Sequence, residues 1–111
     1  MRPESIAMAN ILLRHHKRIQ GGKDFDACLI PYGQLCEQAQ VPFLTHNPGP
    51  FLAEVADWCT QNGCPPLNAL AVRADTRMPG DGYDRASNCS LLNWQKEAED
   101  CINCDLYPDH L

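Results

Sequence analysis

Lysine and arginine are scarce in the second half of this chain. Residues 49–111 contain four of them, Arg73, Arg77, Arg85 and Lys96, against ten acids, a local charge of −6 in a chain of 111 residues with net charge −5. A surface that tracks nucleic-acid phosphates needs cations, because its affinity comes from displacing condensed counterions. We therefore expect this half to repel nucleic acid and to favour a basic partner.

Long apolar runs are also missing. No stretch approaches the roughly 20 residues of a membrane-spanning helix. The first twenty residues carry charges at Glu4, Arg14, Lys17 and Arg18, unlike the uninterrupted apolar segment of an export signal. The apolar share of 44% and the charged share of 21% are ordinary for a globular protein. The composition predicts one cytoplasmic domain, residues 1–111, with no membrane contact.

Familiar catalytic motifs are absent as well. The chain has no nucleophile elbow, no phosphate-binding loop and no metal-binding histidine pair. His15 and His16 are adjacent, and adjacent side chains on a helix point in different directions. We expect no catalytic residue, no cofactor and no small-molecule substrate, and we interpret the chain as a non-enzymatic binding protein.

Cysteine, in contrast, occurs seven times. An odd number without an export signal predicts free thiols or metal ligands in a reducing compartment. Cys101 and Cys104 have a spacing that suits a zinc ligand pair, and Cys59 and Cys64 supply two further thiols. A single CxxC is a weak zinc signal, and Cys59 and Cys101 fall on apolar helix stripes, which favours buried thiols. A zinc-stabilised module is kept as an alternative.

Apolar spacing predicts a mainly α fold with a small β element, of the α+β class. A first helix is expected over residues 3 to about 20, ended by Gly21 and Gly22. A short strand at residues 27–30 and a short helix at 33–38 follow, and Asn47 is expected to cap a third helix at 49–61. Residues 67–72 are predicted as a buried strand, before a glycine-rich turn at 78–82 and a last helix at 90–104.

Four segments in chain order point to a family: "PYGQL", "FLAEVADW", "PPLNALAV" and "PGDGY". Over residues 31–83 the chain resembles the DNA-binding domain of alkylguanine alkyltransferases and alkyltransferase-like proteins. Those proteins start a short helix at a Tyr-Gly, continue into a recognition helix, and place a proline-led active-site strand before a glycine-rich loop. The resemblance implies a winged helix-turn-helix-like single domain. The same segments are also similar to small uncharacterised bacterial and phage proteins.

The reacting residues of that family are missing here. Alkyl transfer needs a Pro-Cys-His-Arg run, because a histidine-activated thiolate accepts the alkyl group; the corresponding residues are Pro66, Leu67, Asn68 and Ala69. Alkyltransferase-like relatives also lack the cysteine but keep a basic recognition helix. The third helix here carries Glu54 and Asp57 and no lysine or arginine. Since base readout and phosphate contacts normally use cations and amides, we do not expect this helix to read a DNA groove.

Three functional hypotheses result. The leading one is a small acidic protein that binds a basic, nucleic-acid-handling protein, as phage-type inhibitors of CRISPR or restriction machinery do; its contact residues are Glu54, Asp57, Glu97, Glu99 and Asp100. The alternative is a winged-helix DNA-binding regulator, with nucleic-acid contacts from Arg14, Lys17, Arg18, Arg73 and Arg77. The further alternative is the zinc-stabilised module of Cys59, Cys64, Cys101 and Cys104.

Overall fold

Four helices and one strand pair form the fold in the part of the chain that the structure, a computed structural model, describes: residues 1–21 and 24–111. The elements are α1 (Pro3–Arg18), β1 (Ile30–Pro31), α2 (Tyr32–Gln38), α3 (Gly49–Gln61), β2 (Ala71–Val72) and α4 (Trp94–Asn103). Short 3₁₀ helices connect them at Asp26–Cys28, Pro42–Leu44, Leu67–Leu70, Asp81–Arg85 and Leu91–Asn93. The predicted α+β class is confirmed.

Helix α1 begins with a proline at its first turn, as predicted, and the chain turns at Gly21, whose φ of +100° favours glycine. Gly22, expected to help end this helix, and the adjacent Lys23 lie outside the described residues. The helix has no side-chain cap of its own. Glu54 of α3 supplies the acceptor instead: it accepts from the Arg2 backbone amide at 2.9 Å and from the Ser5 hydroxyl at 2.7 Å.

Helix α3 occupies residues 49–61 as predicted, because its apolar stripe is bounded by proline and glycine on one side and Gly63 on the other. The prediction that Asn47 caps it is wrong. Pro48 is the residue at the cap position, no side chain bonds to the first turn, and the Pro48 carbonyl accepts from the amides of Phe51 and Leu52. The proline-rich entry thus positions the helix through its backbone.

The two strands are only two residues long and run parallel, with Ile30 opposite Ala71 and Pro31 opposite Val72. The predicted strand at residues 67–72 is wrong for its first four residues, which form the 3₁₀ helix Leu67–Leu70. All four are buried, and a short buried apolar run does not by its pattern distinguish a strand from a helical turn. The described residues contain no antiparallel hairpin, so the winged-helix part of the prediction is not confirmed.

Two adjoining apolar clusters form the core. The larger one joins α1, α2 and α3 through residues such as Met8, Leu12, Leu35 and Val55. The smaller one packs α4 against the segment around β2, where the Trp94 indole N–H donates to the Ala69 carbonyl at 2.8 Å. The radius of gyration is 12.2 Å, close to the roughly 13 Å expected of one compact domain of this length.

Candidate functional site: a cleft between α2, α3 and the loop of residues 73–86

A cleft of about 930 Å³ opens between the start of α2, the start of α3 and the loop of residues 73–86. We call it the α2–α3 cleft. Its size lies at the upper end of the range typical of ligand-binding sites. Its apolar walls come mostly from prolines, alanines and the rings of two tyrosines: Pro48, Pro50, Ala53, Ala74, Tyr32 and Tyr83.

Three of the turn segments noted in the sequence meet at this cleft. Tyr32 and Gly33 come from "PYGQL", residues 48–50 from the proline-rich entry of α3, and residues 80–83 from "PGDGY". The Tyr32 hydroxyl accepts a hydrogen bond from the Gly80 amide at 2.8 Å, which fixes the glycine-rich loop against the start of α2. Burial raises the pKa of Tyr32, so this hydroxyl stays neutral.

Charges on the cleft wall are balanced. Arg73 donates two hydrogen bonds to the Asp75 carboxylate, at 3.0 and 2.8 Å. Asp81 and Arg85 supply a second acid and a second base. The wall therefore has no net formal charge, which favours an occupant that places uncharged polar groups in the cleft over an anion such as phosphate.

Asn68, on the 3₁₀ helix beside β2, is the unusual polar residue of the wall. Its side chain is 3% exposed, and its Nδ2 donates to the Cys89 sulfur at 3.6 Å. Its Oδ1 is the one buried side-chain nitrogen or oxygen atom of the described residues that has no hydrogen-bond partner. An unsatisfied buried acceptor costs folding free energy, about 1–3 kcal/mol, and calls for an explanation.

A half-buried polar network lies next to Asn68. The Tyr83 hydroxyl donates to Glu97 at 2.6 Å, and the Ser90 amide donates to the same carboxylate oxygen at 3.2 Å. Burial, followed by the Glu97 carboxylate, raises the pKa of Tyr83 far above its ordinary value. Glu97, predicted to contact a partner at the surface, is thus bonded inward and holds the loop of residues 81–90 in place.

The exposed face of α3 is bonded to that loop. Asp57 accepts from the Ser87 hydroxyl, and the Asn88 amide donates to the Thr60 hydroxyl at 3.2 Å. Towards α1, Glu54 accepts from the Arg2 side chain at 2.6 Å as well as from the two donors described above. These bonds, the Arg2 amide first, hold the pKa of Glu54 below its usual range.

The remaining predicted acidic contacts lie on the exposed side of α4. Glu99 accepts from the Gln95 amide at 3.3 Å, and Asp100 pairs with Lys96 at 2.7 Å. The five predicted acids therefore do not share one role: Glu54 and Glu97 stabilise other segments, whereas Glu99 and Asp100 face solvent.

Most of the predicted basic contacts are paired with acids. Arg73 binds Asp75, Lys17 binds Asp109, and Arg77 binds Asp26 at 3.1 Å while donating to the Asp26 carbonyl at 2.8 Å. Arg14 and Arg18 are exposed near the end of α1. Pairing reduces the positive charge that these side chains offer to a phosphate backbone.

The cysteines predicted as zinc ligands do not form a metal site. Among residues 1–21 and 24–111, no three histidines, cysteines or acids are placed to hold a metal ion. Cys59 and Cys101 are buried, and Cys64 and Cys104 are half-buried. Burial raises the pKa of Cys59 to about 12 and also raises the pKa of Cys64 and of Cys101, which disfavours the thiolate that a nucleophile requires.

Sequence reasoning did not single out the cleft. The resemblance gives Tyr32 only as part of the Tyr-Gly that starts a short helix, and it gives Asn68 only as one of the residues that stand in place of the reactive run. The available signal was the clustering of proline and glycine at three separate turns, because such turns commonly form the rims of binding sites.

None of the helices in the described residues combines the length and the apolar character needed to cross a bilayer.

Comparison with protein-family models, with curated proteins and with solved structures finds no match to this chain. What the cleft does must therefore follow from the chemistry of its own residues.

Proposed function

We propose that this protein is a non-enzymatic recognition domain that binds a segment of a partner polypeptide in the α2–α3 cleft. The observation that supports this most directly is the lining of the cleft: prolines, alanines and tyrosine rings with balanced charges and, among the described lining residues, no thiol. Such a wall offers apolar contact and orienting polar groups without a nucleophile.

A catalytic role is disfavoured by the state of the reactive groups. Burial raises the pKa of the thiols of Cys36, Cys59, Cys64, Cys89 and Cys101. Glu54 and Glu97 accept hydrogen bonds from neighbouring segments, so both carboxylates have structural tasks. These thiols and carboxylates therefore supply neither an activated nucleophile nor a general base that could reach a molecule bound in the cleft.

A polypeptide occupant is favoured over DNA by the surroundings of α3. Asp57 and Thr60 are bonded to Ser87 and Asn88, so entry of this face into a groove would first break those bonds. The helix also offers no cation to the phosphates on either side of a groove.

The partner that we propose is a basic protein that handles nucleic acid, in the manner of the targets of phage-type inhibitors of CRISPR or restriction machinery. The net charge of −5, with −6 in residues 49–111, would accelerate encounter with a basic surface. We place this encounter in the cytoplasm, where seven cysteines persist as thiols.

The test is selection of a random peptide library on the full chain, followed by binding measurements with two matched variants. Ala74→Trp adds bulk at an exposed position that lines the cleft, and Ala27→Trp adds the same bulk at an exposed position outside it. We expect enriched, net-basic peptides that bind the wild type and Ala27→Trp but not Ala74→Trp. Enrichment of no peptide, or equal binding to both variants, would refute the proposal.

DNA binding in the manner of alkyltransferase-like proteins is the second candidate function. It is favoured by one observation: the segments on which that resemblance depends meet at one cleft. Arg14 and Arg18 would then contact phosphates. The measurement is a gel shift with duplex DNA at low salt, in which this candidate requires a complex that weakens as salt rises. Arg14→Glu with Arg18→Glu should abolish the complex, and the absence of any wild-type complex excludes this function.

A further inference from the structure

We propose that Asn68 is the residue that selects the occupant of the α2–α3 cleft, because its side-chain carbonyl accepts a hydrogen bond from an uncharged N–H donor such as a peptide amide. This inference rests on the proposed binding function of the cleft. It adds the chemical group that an occupant must present.

The orientation of the Asn68 amide follows from the single proton of Cys89. The Cys89 thiol donates that proton to the Ser87 carbonyl at 3.3 Å. Its sulfur is therefore left as an acceptor, and the group of Asn68 that lies 3.6 Å from it must be the NH₂ donor. Oδ1 consequently occupies the other end of the amide, where it has no partner.

The position of Asn68 in the cleft wall indicates which end of its side-chain amide lies towards the cleft. Asn68 lines the cleft, whereas Cys89, which binds the NH₂ end, does not. The carbonyl end is therefore the unpaired end of the amide beside the cleft, and because Oδ1 is buried in the free protein, an occupant reaches it by displacing neighbouring atoms of the wall. A donor arriving there would remove the desolvation cost that the free protein bears.

The donor should be uncharged. The two acids and two arginines of the wall balance, and Arg73 and Asp75 are already bonded to each other. A neutral amide carbonyl compensates poorly for the desolvation of a buried ammonium or guanidinium, whereas an amide N–H matches it with one hydrogen bond. The Tyr32 hydroxyl is a weaker acceptor for an occupant than the Asn68 carbonyl, because it already accepts from the Gly80 amide.

The first experiment compares two small probes of nearly the same shape. N-methylacetamide carries an N–H donor, and methyl acetate has an ester oxygen in its place. Each is titrated into the ¹⁵N-labelled full chain while the Asn68 side-chain NH₂ signals and the backbone amides of Gly80 and Gly82 are observed. We expect saturable shifts with N-methylacetamide and none with methyl acetate. Equal shifts with both probes, or none with either, would overturn the inference.

The second experiment uses the selected peptides and two matched variants. Asn68→Leu keeps the side-chain size but removes the acceptor, and Asn93→Leu makes the same change at an exposed position outside the cleft. We expect Asn68→Leu to weaken peptide binding roughly tenfold or more and Asn93→Leu to leave it unchanged. Equal binding to wild type and Asn68→Leu overturns the role of Asn68 while leaving the recognition function intact.

Different experimental results would refute the proposed binding function and the proposed role of Asn68. If the library yields no cleft-dependent peptide, the proposed function fails, and the comparison of amide with ester still decides whether the Asn68 carbonyl accepts a donor. That comparison uses wild-type protein only, so it does not depend on whether Asn68→Leu folds.

Discussion

Replacing Glu54 with alanine should destabilise the protein by about 2 kcal/mol. The carboxylate accepts from the Arg2 amide at 2.9 Å and from the Ser5 hydroxyl at 2.7 Å, and Ser5 is fully buried. Without Glu54 the Ser5 hydroxyl loses its acceptor inside the fold, which costs about 1–3 kcal/mol. The Arg2 end is exposed, so water replaces most of its lost bonds, and the ion pair with Arg2 itself contributes little.

The assay is urea and thermal unfolding of matched variants. A loss of 2 kcal/mol corresponds to a fall of roughly 8 °C in melting temperature for a domain of this size. Glu54→Gln keeps Oε1 as an acceptor and should lose about 0.5 kcal/mol. Glu99→Ala, on the exposed side of α4, is the control and should change little. In the Ser5→Ala background the cost of Glu54→Ala should shrink by about 1 kcal/mol, since the two side chains share one bond.

The same contact has a pH dependence with a defined sign. The Arg2 amide and the Ser5 hydroxyl lower the pKa of Glu54 from its ordinary 4.5. Its contribution to the free energy of unfolding is therefore complete above that value and is lost as the pH falls through the lowered pKa. The difference in stability between wild type and Glu54→Ala should narrow as the pH falls below 4.5. If Glu54→Ala unfolds like Glu99→Ala at neutral pH, our interpretation of Glu54 as a cap for α1 is refuted.

Three further changes should alter stability in known directions. Asn68→Leu should raise the free energy of unfolding by about 1 kcal/mol, because it removes an unsatisfied acceptor and only a long bond to Cys89; a lower melting temperature would contradict this. His16 packs against the Tyr107 ring, and burial lowers the pKa of His16 from 6.5. Its contribution to the free energy of unfolding should therefore be lost as the pH falls below that value. The urea midpoint of His16→Gln should vary less between pH 7.5 and 5.5 than that of the wild type. Tyr83→Phe leaves Glu97 without its closest donor and should cost about 1–3 kcal/mol by the same unfolding assay.

Elements with a strong local signal were predicted well from the sequence. The bounds of α3 follow from an apolar stripe between proline-glycine and glycine signals, and α1 follows from a proline start and a basic last turn. Residues 67–70 were misassigned because every side chain there is buried, so no alternation between inner and outer faces exists to identify the local structure.

The roles of the charged residues were much harder to predict. Glu54 and its donor Ser5 are 49 residues apart, and Arg77 and Asp26 are 51 residues apart. Local spacing contains no information about such pairs, so residues that stabilise the fold were indistinguishable from residues exposed to a partner. The lack of a hydrogen-bond partner at the Asn68 side-chain carbonyl depends on how the interior packs, and no pattern in the sequence predicts it.

The pairing of β1 with β2 links the existence of the cleft to completion of the fold. Two residues on each side are far too few to stay together alone, so the pairing of Ile30 with Ala71 depends on the helices packed around it. Tyr32 directly follows one strand and Arg73 the other, so the positions of both residues in the cleft wall depend on this pairing. A chain interrupted anywhere between residues 31 and 71, or opened partway by heat, should therefore lose the α2–α3 cleft while much of its helix content survives.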